Sequence, residues 1–217
     1  MELCGSILAA NHAHLARDIT AAQQAGITRF HIDVCDGHYT RDIIFGPQVV
    51  RDIRKETDAY MDVHLAVHNI DAICRTFLET GADLIQLQYE TCEDPERLID
   101  LIHRHGLDAG LSFVPATPVE LIIPMLPLVE RANLLSVNPG IGGQLFQNAA
   151  LEKIAAVSSY VRTQGMQTQI SVDGGIHAGN VCAVRDSGAD IAILGSGIFN
   201  GPIENHVRRL IELVRTP

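Results

Sequence analysis

Phe30-His31-Ile32-Asp33 is a short apolar run carrying two metal-ligand side chains, and Val34-Cys35-Asp36-Gly37-His38 follows it at once. Residues two apart on a strand point to the same face, so His31 and Asp33 project together from such a strand. Asp36-Gly37 then supplies a turn. Two other runs end in the same way, Met61-Asp62-Val63-His64 and Ile170-Ser171-Val172-Asp173. Two imidazoles and two carboxylates brought to one point would hold a divalent metal. The same carboxylates could also move protons. A fold that gathers these three strand ends would make a metal-assisted acid/base enzyme. Taken one at a time, each reads first as an ordinary polar strand end, with His64 satisfied by a backbone carbonyl.

Outward from these runs, apolar β-branched segments alternate with amphipathic ones along the chain. Strands are predicted near residues 3–8, 29–33, 60–65, 84–87, 108–113, 133–136, 169–173 and 191–194. The stretches between them read as helices, among them 15–25, 70–80, 95–105 and 151–164. Gly26, Gly81, Gly106 and Gly188 stand just before the next strand, where a helix ends in a left-handed residue. This alternation predicts a (β/α)8 TIM barrel, one α/β domain over residues 1–217. A doubly wound open sheet is the alternative, but it usually has fewer strands at this length. Barrel active sites lie at the C-terminal ends of the strands. His31, Asp33, His64 and Asp173 all fall there.

The chain has 217 residues, 26 acidic and 16 basic, for a net charge of −10. That balance argues against nucleic acid and membrane partners. An anionic substrate would then need local donors such as backbone amides. Five scattered cysteines without a CxxC pair suggest reduced thiols and a cytoplasmic protein. The N-terminus lacks a basic region followed by an apolar run, so no signal peptide is expected.

Three glycine-rich segments follow predicted strands. Asp173-Gly174-Gly175-Ile176 follows the seventh and Gly195-Ser196-Gly197-Ile198-Phe199 the eighth. Ser136-Val137-Asn138-Pro139-Gly140-Ile141-Gly142-Gly143-Gln144 follows the sixth. Glycines let backbone approach a ligand and free amides for an anion. Barrels often bind phosphate after strands seven and eight, at the start of a short extra helix. A phosphate site is expected there. His12, His14, His68, His103, His105, His177 and His206 show no ligand spacing tied to the cluster and read as surface or helix residues.

Together these residues resemble the ribulose-phosphate 3-epimerase family over nearly the whole chain. The resemblance rests on Gly5-Ser6-Ile7-Leu8, the HxDxxDGH stretch from His31 to His38, Ile44-Phe45-Gly46-Pro47, Asp62-Val63-His64-Leu65 and Ala116-Thr117-Pro118, with the three glycine segments. It implies a barrel of the ribulose-phosphate-binding type and metal ligands at His31, Asp33, His64 and Asp173. It implies that Asp33 and Asp173 are the two acid/base groups. It implies substrate contacts from Ser6, His64, Gly140, Ile141, Gly142, Gly143, Asp173, Gly174, Gly175, Gly195 and Ser196. The implied cofactor is one divalent ion, Zn2+ first, with Fe2+, Mn2+ or Co2+ as alternatives. The implied assembly is a homo-oligomer.

The implied reaction is inversion at C3 of a sugar phosphate, D-ribulose 5-phosphate to D-xylulose 5-phosphate, through a metal-stabilised enediolate. The chain departs from the family's usual pattern at Cys35, Arg41, Asp42, Ala66, Gln88, Val114 and Leu135. None is a predicted ligand, but together they reshape the pocket wall, where Arg41 and Asp42 could offer new polar contacts. A 3-epimerase of another ketose phosphate, such as D-allulose 6-phosphate, is therefore a second reading, and a non-catalytic phosphosugar-binding protein a third. Related decarboxylases and aldolases carry a Lys in Asp-x-Lys-x-x-Asp on the third strand. Asp62-Val63-His64-Leu65-Ala66-Val67 has none.

Overall fold

Local signals start the helices. Asp94 caps the helix Pro95–Arg104, its Oδ1 accepting from the Arg97 backbone N–H at 3.1 Å. Pro95 fills the first position, where no N–H is needed, and His103 and Arg104 face the carbonyl end of the dipole. A cap of this kind is worth about 1 kcal/mol. Leu98, Ile99 and Ile102 form the buried stripe, each contributing roughly 1.5–3 kcal/mol.

The computed structural model describes residues 1–140 and 142–215. Its strands are β1 (Glu2–Ser6), β2 (Arg29–Asp36), β3 (Ile43–Ile44), β4 (Tyr60–Ala66), β5 (Leu84–Gln88), β6 (Asp108–Phe113), β7 (Arg131–Leu135), β8 (Gln169–Asp173) and β9 (Ile191–Leu194). Its helices are α1 (Leu15–Gln24), α2 (Pro47–Glu56), α3 (Ile70–Phe77), α4 (Pro95–Arg104), α5 (Val119–Ile122), α6 (Ala150–Thr163), α7 (Val181–Asp186), α8 (Ser196–Phe199) and α9 (Ile203–Arg215). The sheet order is β1-β9-β8-β7-β6-β5-β4-β2, and β1 also pairs with β2 at Gly5↔Phe30 and Ser6↔His31. Eight parallel strands therefore close into a (β/α)8 TIM barrel, as expected. Among the described residues, no helix is long and apolar enough to cross a membrane.

The ends of the first two strands differ from the sequence expectation, and β7 starts two residues early, at Arg131. The first strand stops at Ser6, and Ile7–Ala9 coil into a 3-10 turn closed by the Ala10 N–H on the Ile7 carbonyl at 3.1 Å. The turn buries Ile7, whose apolar side chain otherwise reads as continuing strand. The second strand runs on to Asp36, because Cys35 and Asp36 pair antiparallel with Ile44 and Ile43 of β3. Gly81, between α3 and β5, sits at φ 87° with the Arg54 side chain against it, so only glycine fits there without strain.

The main core lies between the barrel wall and the helices. The lumen is different. Part of it is a small separate apolar cluster of Cys4, Ile191 and Ile193 on β1 and β9. Around the rest of the lumen, buried polar side chains form an arc across β4 to β8. Gln86 Nε2 donates to the Asp62 carboxylate and Ser112 Oγ donates to Gln86 Oε1 at 2.9 Å. Asn133 Nδ2 donates to Ser112 Oγ at 3.2 Å, and Ser171 Oγ to Asn133 Oδ1 at 2.9 Å. Arg131 Nη1 closes on Asp62 Oδ2 at 2.9 Å, with both side chains almost fully buried. TIM-barrel lumens are more often filled by branched apolar residues.

Candidate active site

β2 presents His31 and Asp33, its neighbour β4 presents His64, and β8 presents Asp173 across the mouth of the barrel. The parallel register sets Asp33 beside His64 and His31 beside Asp62. His31 Nε2 lies 3.3 Å from Asp33 Oδ1 and 3.9 Å from Asp173 Oδ2, and His64 Nδ1 lies 3.3 Å from Asp33 Oδ1. One ligand atom from each of His31, Asp33, His64 and Asp173 falls within 4.8 Å of the others. Among the described residues this is the one such group of His, Cys, Asp and Glu.

The donor set fits a divalent ion. Two imidazoles and two carboxylates suit zinc, iron, cobalt or manganese. His31 is fully buried, and neither of its ring nitrogens has a hydrogen-bond partner among the described residues. A buried polar atom left that way is costly, and a cation among the four side chains would engage Nε2. On the other side of the ring, Nδ1 faces Asp62 Oδ2 at 3.4 Å.

Electrostatics separates the two carboxylates. Burial pushes the Asp33 carboxyl up, but the His31 and His64 rings outweigh it and hold it far below the usual range. Asp173 is pushed up to about 6 by burial, with the Asp33 charge adding to the rise and His31 opposing it. Burial pulls His31 down, yet the Asp33 and Asp62 carboxylates more than reverse that and raise it well above 6.5. Asp62 is held below the usual range, since His31 and Arg131 outweigh its burial.

Asp33, His64 and Asp173 open into a cavity of about 120 Å3 that also reaches the glycine segments. Its lining includes Ser6, Gly140, Gly142, Gly143, Gly174, Gly175, Gly195 and Ser196. Ile141 lies outside the described residues. His31 does not line the cavity; it is buried beneath the other three side chains. Ser6 Oγ donates to Asp33 Oδ2 at 3.1 Å. Gly175 has φ 59°, and a Cβ there would strike the backbone of Phe146 and Gln144. That close approach brings the loop after β7 against the loop after β8. Gly195 precedes α8, the short helix expected after the last strand.

Six of the seven departures fall in three places, and Val114, on the loop after β6, donates its N–H to Glu90 Oε1 at 3.1 Å. Leu135 lines the cavity, while Cys35 and Ala66 are buried side by side on β2 and β4 and are not part of its lining. Arg41 and Asp42 are exposed on the β2–β3 loop and are not part of the lining, so they add no polar contact to the cavity wall. Gln88 is buried against the site: its Oε1 faces His64 Nε2 at 2.9 Å.

Sequence reasoning passed over Asp62, Arg131 and Glu90, whose carboxylate accepts from Gln88 Nε2, as parts of the site's support. Parity carries a signal for the first two. Asp62 precedes His64 by two residues on one strand, and Arg131 precedes Asn133 and Leu135 by two and four, so both face the lumen. A buried arginine there requires an acid.

The ribulose-phosphate 3 epimerase family matches residues 2–199 of the chain. The ribulose-phosphate 3-epimerase of Serratia marcescens is 37% identical over 198 residues, which cover 91% of this chain and 94% of that protein. Ribulose-phosphate 3-epimerase 1 of Cupriavidus necator is 36% identical over 206 residues, covering 93% and 86%. Among solved structures, the phosphoribosyl anthranilate isomerase of Thermus thermophilus superposes with a TM-score of 0.70 at 16% identity, over 99% of this chain and 98% of its own, a likeness of fold. Sequence identity at this level and over this length leaves one placement: the chain belongs to the ribulose-phosphate 3-epimerase family of isomerases.

Proposed function

We propose that this protein is a metal-dependent 3-epimerase interconverting D-ribulose 5-phosphate and D-xylulose 5-phosphate. The observation that carries the reading is the single cavity joining Asp33 and Asp173 to the three glycine segments. It offers one end for a phosphate and another for proton transfer.

Asp33 and Asp173 stand on strands separated by β1 and β9, so a sugar carbon lying between them is approached from two sides. One carboxylate takes the C3 proton beside the C2 carbonyl, leaving an enediolate. The other returns a proton to C3 on the opposite face. Reversal exchanges the roles. Each such group contributes roughly 10²–10⁴-fold. Ser6 orients Asp33 through the hydrogen bond to Oδ2.

His31, Asp33, His64 and Asp173 are the residues that would hold the divalent ion, Zn2+ first, which supplies Lewis-acid stabilisation of developing negative charge. Gly174, Gly175, Gly195 and Ser196 offer backbone amides to the phosphate, which the net charge of −10 would otherwise repel. Gly140, Gly142 and Gly143 cover the sugar from the side. All five cysteines are free, which fits a reducing cytoplasm.

The test is solvent deuterium entry at C3, followed on D-ribulose 5-phosphate and D-allulose 6-phosphate in parallel, with metal content measured on the same preparation. Exchange into the pentose at the higher kcat/KM supports the reading. Faster exchange into the hexose would transfer the assignment to that substrate, and exchange into neither would leave a phosphosugar-binding protein.

A further inference from the structure

We infer that Gln88 is a positioning residue that fixes which nitrogen of His64 carries the proton and which faces the metal cluster. This rests on the metal reading above. The argument starts from the amide, whose oxygen only accepts and whose nitrogen only donates. Gln88 Nε2 faces two acceptors, the Ser112 carbonyl oxygen at 3.2 Å and the Glu90 carboxylate. Turning the amide over would aim its oxygen at both of them. Oε1 is therefore committed to the other side, where His64 Nε2 stands at 2.9 Å.

An acceptor at that distance calls for an N–H on Nε2. A neutral imidazole has one N–H, so its lone pair lies on Nδ1. Nδ1 is the nitrogen on the cluster side, 3.3 Å from Asp33 Oδ1. Glu90 is held in turn. Its Oε1 accepts from the Val114 N–H at 3.1 Å and from the Thr117 hydroxyl. The chain of contacts thus runs from the loop after β6 through Glu90 and Gln88 to His64. An amide does not titrate in the physiological range, so the arrangement holds wherever the ring is neutral. Partners of this kind typically change metal affinity 10–100-fold when removed.

The experiment compares the full-length parent with Gln88→Met and with the exchange variant Gln88→Glu/Glu90→Gln. Methionine keeps the volume and removes both amide contacts. The exchange variant restores an acceptor toward His64 and a donor–acceptor pair between positions 88 and 90, and takes the donor from the Ser112 carbonyl. Zinc affinity is read by chelator competition, and the His64 Nε2–H by ¹⁵N-edited NMR of the zinc-loaded protein.

The parent is expected to show a slowly exchanging Nε2–H. Gln88→Met is expected to lose that signal and to bind zinc about 10–100-fold more weakly. The exchange variant should recover most of the affinity. Parent-like zinc affinity in Gln88→Met, or loss of affinity with the His64 Nε2–H signal kept, would overturn the inference alone. A parent that takes up no divalent ion would overturn the metal reading with it.

Discussion

Asp33, His64 and Asp173 stand on regular strands and are held by neighbouring side chains. Gly174, Gly175 and Gly195 stand in turns and are held by what the absence of a side chain lets approach. At the carboxylate end the chemistry lies in functional groups, and a strand tolerates many residues in their place. At the glycine end the chemistry lies in the backbone, and volume is what the site cannot absorb. The two ends should therefore fail differently. Changes at the first should remove turnover and spare the fold, whereas changes at the second should weaken substrate binding and spare proton transfer.

The largest effect is expected from Asp33→Asn and from Asp173→Asn. Each keeps shape and loses the proton carrier, so kcat should fall roughly 10²–10⁴-fold. Circular dichroism should show the barrel retained. Parent-like turnover in either variant would break the two-carboxylate mechanism and with it the contrast between the ends.

Next comes the lumen beneath the carboxylates. Arg131→Met leaves Asp62 buried without its cation, which should cost about 3–5 kcal/mol in urea unfolding. Asp62→Leu/Arg131→Met removes both charges and should return most of that stability. If the double variant is no more stable than the single one, the arc of hydrogen bonds, rather than the ion pair, sets the cost.

Gly175→Ala probes the other end. Its φ of 59° and the nearby Phe146 and Gln144 backbone leave no room for Cβ. Strain of about 1–3 kcal/mol is expected. KM should rise about tenfold, the equivalent of 1.4 kcal/mol in binding. kcat at saturating substrate should stay near the parent's. A fall in kcat with KM unchanged would place Gly175 in the chemistry instead.

The same contrast explains what the sequence discloses. Candidate ligand side chains at alternate positions, as in His31-Ile32-Asp33, carry their own face with them, so the cluster is readable once eight strands are counted. Glycines after the sixth, seventh and eighth strands are readable because barrel topology says where they go. The support is harder to read. Asp62 and Arg131 are 69 residues apart, and nothing local pairs them. Gln88 reads only as a departure from a family pattern until its amide is seen between Glu90 and His64. Ile7 and Leu8 extend the first strand on paper, because apolarity alone does not distinguish strand from a buried 3-10 turn. Arg41 and Asp42 follow β2 closely in sequence, but the β2–β3 ribbon carries them out to the surface.

The smallest effect per step is a pH dependence, and it sharpens the carboxylate end in particular. Metal ligands bind deprotonated, so uptake displaces any proton the cluster holds. Asp173, pushed up to about 6, keeps its proton below that pH, whereas Asp33 stays ionised far into acid. His31, raised well above 6.5, holds a further proton at neutral pH when no metal is bound. The sign follows: zinc affinity should rise with pH through about 6 and continue to rise above it. Each displaced proton adds about tenfold per pH unit. Calorimetry in buffers of different ionisation enthalpy should count more than one proton released at pH 5.5 and fewer at pH 8. In Asp173→Asn the release near pH 6 should vanish and the higher-pH release remain, because the second proton belongs to the imidazole beneath. Release unchanged by Asp173→Asn would mean that Asp173 holds none of the displaced protons.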